Sequence, residues 1–349
     1  MNADQLFEKL KSVTIGNNIC FYSREKCQQL LPIINEIEVL KKKHNAIVLA
    51  HSYVSPDILY TVADKSGDSY ELSRFARDSQ SKMIVYAAVK FMAETAKVIN
   101  PEKRVFIASD VNGCTLADSI DAAKTKALRE KYPDHTFVCY INTTAEVKAL
   151  CDVCVTSSNA LTIIKNHPND KIYFLPDKLM GKNLFDALKK EGIEKELIFY
   201  DGTCYVHEAY DPEMIDYLRL KKKDLSVLAH PECKPEVAKK SDFIGSTSAM
   251  MQYVRESSAE NFLLLTECGL TARLQVELSK TNKKFIGMCT LCRYMKSNSL
   301  EEIAAVLRHP ENFPKREIKI DKKVIDRAKR CIENMFYYTE KSPKKEKAL

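Results

Sequence analysis

Three short apolar strands recur at an almost constant interval, and this repeat constrains the fold more than any other feature of the chain. Ala46-Ile-Val-Leu-Ala-His51, Thr136-Phe-Val-Cys-Tyr140 and Leu225-Ser-Val-Leu-Ala-His230 end 89 and 90 residues apart. Self-similarity at a fixed period means one structural unit used several times. A helix signal follows each strand: Ser55-Pro56-Asp57, Thr143-Thr-Ala-Glu146 and Lys234-Pro235-Glu236. Proline suits the first helical turn, early acids suit the positive end of the dipole, and Thr143 with Glu146 has capping-box spacing. Sixteen to eighteen residues beyond each strand end comes a hydroxyl cluster that reads as the N-cap of a second helix: Gly67-Asp68-Ser69, Thr156-Ser157-Ser158 and Gly245-Ser246-Thr247.

Further apolar strands follow at Met83–Ala87, Ile172–Leu175 and Phe262–Leu265, and again at Val105–Ala108, Leu197–Tyr200 and Phe285–Met288. Continuously apolar strands alternating with helices indicate parallel sheets covered on both faces, since parallel strands need crossovers. The expected fold is therefore α/β: three pseudo-threefold-related α/β/α units with short parallel sheets around a central cavity. The units span 25–105, 106–195 and 196–298, with C-terminal helices at 299–340 joining the first. Val324, Ile325, Ala328, Cys331, Ile332 and Met335 recur at helical spacing as a packing stripe, and 342–349 reads as a disordered tail.

Composition narrows the class of function. Hydrophobic residues make up 45% and charged residues 29%, as in globular proteins. No apolar run approaches the roughly 18 residues of a membrane span, and the amphipathic N-terminus lacks the features of a leader peptide. The reading is a cytoplasmic protein. Of the net charge of +7, Lys341, Lys344, Lys345 and Lys347 against Glu346 place +3 at the C-terminus. The modest remainder suits small anionic substrates, and no basic stripe interleaved with aromatics points to nucleic acid.

The twelve cysteines carry the chemistry. A reducing compartment disfavours disulfides, leaving packing, metal binding or catalysis. Cys114, Cys204 and Cys292 stand just past the last strand of each unit, 63, 64 and 62 residues beyond the first-strand ends. They can be buried thiols closing an apolar layer. They can also meet and hold one metal centre, either zinc with an open position or a [4Fe–4S] cluster with one iron free of cysteine. Cys151 and Cys154, in a CxxC pair without a matching partner, read as structural; Cys289-Thr-Leu-Cys292 is a weak redox signal. Functional groups in parallel α/β units collect beyond strand C-termini. His51, Tyr53, Tyr140, Asn142, His230 and Glu232 stand there, and imidazole, phenol and carboxylate are the groups that move protons.

At these positions the chain resembles the quinolinate synthases, the NadA family of NAD biosynthesis. The segments that carry the resemblance include Ala50-His51-Ser-Tyr53, Gly113-Cys114-Thr-Leu-Ala-Asp-Ser119, Tyr140-Ile-Asn142-Thr-Thr-Ala-Glu146, Cys204-Tyr-Val-His207-Glu208, His230-Pro-Glu232-Cys233, Thr266-Glu267 and Cys292-Arg-Tyr-Met295. The resemblance implies condensation of iminoaspartate with dihydroxyacetone phosphate to quinolinate, with loss of phosphate and two waters. It implies one [4Fe–4S] cluster held by Cys114, Cys204 and Cys292, with Cys289 outside it. It also implies a substrate pocket lined by His51, Tyr53, Ser69, Tyr140, Asn142, Ser157, His207, His230, Glu232, Ser246 and Thr247. Tyr53 and Glu232 are the expected proton carriers, alongside His51, His230 and Tyr140; the serines and Thr247 are expected to contact carboxylate or phosphate. An L-aspartate-oxidising enzyme is the expected source of the imine. Val54 and Arg293 depart from the glutamine and proline common in the family, without removing a ligand or proton carrier. A zinc-dependent lyase and an iron–sulfur sensor are the alternative readings.

Overall fold

All ladder pairings between the described strands are parallel, and they form three four-stranded sheets of one topology. The computed structural model describes residues 1–14, 21–286, 288 and 290–341. Cys289 and the tail 342–349 lie outside the described residues. The first sheet comprises β1 (Ala46–His51), β2 (Lys65–Gly67), β3 (Met83–Ala87) and β4 (Arg104–Ile107). The second comprises β5 (Thr136–Tyr140), β6 (Val153–Val155), β7 (Lys171–Leu175) and β8 (Glu196–Phe199). The third comprises β9 (Leu225–Ala229), β10 (Phe243–Ile244), β11 (Asn261–Leu265) and β12 (Lys284–Ile286). In each, the second strand pairs outside the first, and the third and fourth follow on its other side.

Burial explains why the repeat was visible. Every residue of β3, β5, β9 and β11 is buried, so these strands carry apolar groups on both faces. One hydrophobic core runs through all three units, and the third sheet adds a smaller one around Tyr210, Val227 and Leu263. Helix Arg24–His44 leads into β1 through Asn45, whose left-handed backbone (φ 46°) ends the helix. The C-terminal helix Lys322–Lys341 buries Ile325, Ala328, Cys331, Ile332 and Met335, the expected stripe, and Val324 lies at its margin. It packs mainly on β6 and on helices Ala145–Lys148 and Lys90–Ile99, while helix Leu300–Arg308 packs on Arg24–His44. No helix among the described residues is long and apolar enough to cross a membrane.

Pro56 and Pro235 occupy first-turn positions as expected. Two capping expectations are corrected. The N-cap after β5 is Thr144, which accepts from the Val147 N–H, whereas the Thr143 hydroxyl turns back to the Tyr140 carbonyl. Thr143 bonds there because Lys148 is buried against it and takes the Thr143 oxygens as partners. In the Thr156-Ser-Ser cluster the helix starts later, at Ala160, with Asn159 accepting from the Thr156 N–H. In the first unit Asp68 rather than Ser69 forms the cap, and in the third Ser246 caps as expected.

Candidate active site

The three first strands deliver matching turns to one cavity. His51 ends β1, and its Nδ1 accepts from the Tyr53 N–H at 3.2 Å; His230 follows β9, and its Nδ1 accepts from the Glu232 N–H at 3.4 Å. Burial, followed by the positive charge of Arg273 and Lys296, pushes His51 down to about 3. Burial, followed by His207, takes His230 to about 3 as well. Both rings are thus neutral, and a neutral ring whose Nδ1 accepts carries its proton on Nε2. Each presents an N–H donor rather than a base.

The second strand end, Tyr140, is tied to the third unit: its hydroxyl donates to Glu232 Oε1 at 2.6 Å. His207 lies 3.0 Å from Glu232 Oε2 through Nδ1, and its ring stacks on His230 with centroids 4.5 Å apart. Burial alone would raise the Glu232 carboxyl, but His207 and the Tyr140 hydrogen bond outweigh it and hold the group below the usual carboxylate range. From His207 the network continues through Nε2 to Thr266 Oγ1 at 3.0 Å, then to the Tyr53 hydroxyl at 2.6 Å. Thr247 Oγ1 donates to that hydroxyl at 3.0 Å. One consistent donor direction runs Thr247, Tyr53, Thr266, His207, Glu232, so residues from three sheets share a single buried chain.

Cys114, Cys204 and Cys292 line the same cavity, one past the last strand of each sheet, all partly exposed. Cys204 and Cys292 each precede a single helical turn, Tyr205–Glu208 and Arg293–Lys296. Burial is the main force raising all three thiols, taking Cys114 to about 12. Glu232 and, after it, Cys292 add to the rise at Cys114, as Glu232 and Cys114 do at Cys204. Without a cation the three therefore stay protonated; a bound cationic centre would release the protons and pair the thiolates.

The donor set distinguishes between kinds of centre. Among the described residues, the ligand atoms that lie within 4.8 Å of one another in a group of three belong to Cys204, His207 and Glu232. Both nitrogens of that histidine and both carboxylate oxygens are already in hydrogen bonds. The three sulfurs form no such group, whereas a single zinc with bonds of about 2.3 Å would draw them to roughly 3.8 Å. Three soft thiols spread around one cavity fit a polynuclear iron–sulfur centre better than one zinc ion.

Of the expected pocket residues, His51, Tyr53, Ser69, Tyr140, Asn142, Ser157, His207, His230, Glu232 and Thr247 line this cavity together with the thiols. Ser246 does not; it is buried beneath, capping helix Thr247–Glu256. Thr266 and Glu267 were not singled out as site residues. Glu267 lines the cavity and accepts from the Cys292 N–H at 3.2 Å, and its carboxylate pairs with Lys296 at 3.1 Å. The available signal was position: a polar pair directly after β11, matching Asp177 shortly after β7.

Residues 35–337 match the NadA family model, described as quinolinate synthetase A protein. The quinolinate synthase of Clostridioides difficile (strain 630) is 39% identical over 305 residues, covering 87% of this chain and 97% of that protein. That of Xylella fastidiosa (strain Temecula1) is 41% identical, over 86% of this chain and 87% of its own length. That of Caulobacter vibrioides (strain NA1000) is 38% identical, over 87% and 81%. With three parallel sheets, a shared cavity and a match across most of its length, this chain belongs to the NadA, or quinolinate synthetase A, family.

Proposed function

We propose that this chain joins iminoaspartate to dihydroxyacetone phosphate, forming quinolinate with release of phosphate and two waters. The observation that carries the reading is that three thiols, one past the last strand of each sheet, line one cavity with the Tyr53 to Glu232 network. Cys114, Cys204 and Cys292 would hold a [4Fe–4S] cluster. Held by three thiolates, such a cluster would supply Lewis-acid chemistry at an iron free of cysteine, toward a substrate carboxylate or hydroxyl.

The remaining work falls to side chains. Glu232, ionised and held between Tyr140 and His207, takes the proton released as carbon–nitrogen and carbon–carbon bonds form. Tyr140, already donating to that carboxylate, can pass a proton toward substrate when Glu232 recovers one. The Thr247, Tyr53, Thr266, His207 chain resupplies Glu232 without opening the cavity to solvent. Neutral His51 and His230, each carrying Nε2–H, orient substrate carboxylates. Ser69, at the start of helix Ser69–Asp78, adds a hydroxyl and a positive dipole end suited to phosphate, with Ser157 and Asn142 as further donors.

A cytoplasmic location and supply of the imine by an L-aspartate-oxidising enzyme accompany this proposal. The test is anaerobic protein carrying iron and sulfide, mixed with the two substrates and assayed for quinolinate. Quinolinate production supports the reading; an intact cluster with no product favours a sensor instead.

A further inference from the structure

A second group of thiols lies away from the cavity. Cys139 and Cys154 are register partners in the parallel pairing of β5 and β6, so their side chains share one face of the second sheet. The C-terminal helix packs on β6 and brings Cys331 to that face, where the Cys139 and Cys331 sulfurs stand 3.6 Å apart. Cys151 and Cys154 also approach Cys139, so three S–H groups surround one sulfur. The buried side chain of Lys148, held by the Ile141 carbonyl at 2.8 Å, adds positive charge beside it. Three donors and a cation stabilise a thiolate, and they hold Cys139 below the ordinary thiol range although burial acts the other way. Cys139, Cys154 and Cys331 are fully buried, but Cys151 reaches a surface cleft that it shares with Arg129, Arg327 and Arg330. These four sulfurs form no group of three within 4.8 Å, so they do not make a ready tetrahedral metal site.

We propose that Cys139 and Cys331 are a redox-modification site, oxidised by hydrogen peroxide to a disulfide that ties the C-terminal helix to the strand bearing Tyr140. Peroxide is close to water in size, and its entry would be from the surface cleft that Cys151 lines. The Cys139 thiolate attacks one peroxide oxygen, the O–O bond breaks, and the departing hydroxide takes a proton to become water. Cys139 is then a sulfenic acid. The Cys331 sulfur attacks it, the S–S bond forms, and hydroxide leaves with the Cys331 proton as a second water. Two thiols are oxidised and one peroxide reduced, and thiols reverse the bond by exchange. The covalent tie lies one residue from Tyr140 and so next to the donor of Glu232.

The test uses the full chain, purified anaerobically, treated with equimolar hydrogen peroxide, alkylated and digested with trypsin. Cys139, Cys331 and the Cys151 with Cys154 pair fall in separate peptides, 132–148, 331–341 and 149–165. The expected product is 132–148 linked to 331–341, lost on reduction with dithiothreitol. In Cys331→Ala with Cys151 and Cys154 also replaced by alanine, the same treatment leaves Cys139 as a sulfenic acid that a 1,3-dione captures. Full alkylation of Cys139 and Cys331 after peroxide, or a link from 132–148 to 149–165 instead, overturns the proposal. Wild-type mapping decides alone if the variant does not fold.

Discussion

Thr266→Val tests whether the buried chain of hydroxyls is one interacting unit. The Thr266 hydroxyl lies 2.6 Å from the Tyr53 hydroxyl and 3.0 Å from His207 Nε2, and the residue is 1% exposed. Valine fills nearly the same space, so cavity formation contributes little and the loss is polar. Two neutral hydrogen bonds at about 1 kcal/mol each disappear, and His207 Nε2 is left buried without its partner, which adds about 1 kcal/mol or more. The expected destabilisation is about 2–4 kcal/mol. Tyr53→Phe removes the same Tyr53–Thr266 bond and strands the Thr247 hydroxyl, for about 2 kcal/mol. Because the shared bond can be lost only once, the double variant should be about 1 kcal/mol more stable than the sum of the singles predicts. Urea unfolding of the four proteins, fitted with a common slope, gives this coupling. Thr266→Val within about 0.5 kcal/mol of wild type, or strictly additive losses, would refute a connected network.

Other expectations follow from particular contacts. Gly269→Ala would drive a methyl group into the Tyr53 carbonyl oxygen and to 2.7 Å from Glu267 Oε2; neither can retreat freely, so thermal or urea unfolding should show a loss of about 1–3 kcal/mol. Asp177 is fully buried, its Oδ1 capping Met180 N–H while Oδ2 has no hydrogen-bond partner among the described residues. Burial, followed by the charge of Glu232, raises its carboxyl well above the ordinary value. The folded chain therefore keeps a proton that the unfolded chain loses, and this residue's contribution to stability falls as pH rises above the unfolded value of about 3.9. Asp177→Asn keeps the shape without that dependence, so its unfolding midpoint should gain on wild type between pH 4 and pH 7; a constant difference would contradict the assignment.

The three-unit fold was legible because burial on both faces leaves strands such as β3 and β11 almost wholly apolar, and because the repeat set their order. The second strands were harder to see. At two or three residues, β2 and β10 are too short for a pattern, and Phe243–Ile244 gains its partner only from the sheet around it. Polar residues at strand ends pointed to the cavity, but spacing alone could not say which hydroxyl faces inward. Thr144 rather than Thr143 caps the helix because buried Lys148 uses the Thr143 oxygens. Thr266 was hidden for a similar reason: a single hydroxyl after an apolar strand carries no pattern, and its importance arises from Tyr53 and His207, both more than fifty residues away.

Whether three thiols, one past the last strand of each sheet, hold a single iron–sulfur centre is measured most directly by iron and sulfide content after anaerobic purification. Wild type, Cys151→Ser and Cys331→Ser should each retain about four iron and four sulfide per chain, while Cys114→Ser, Cys204→Ser and Cys292→Ser should each lose the centre. Equal iron in all six proteins, or zinc in place of iron and sulfide, would contradict the account.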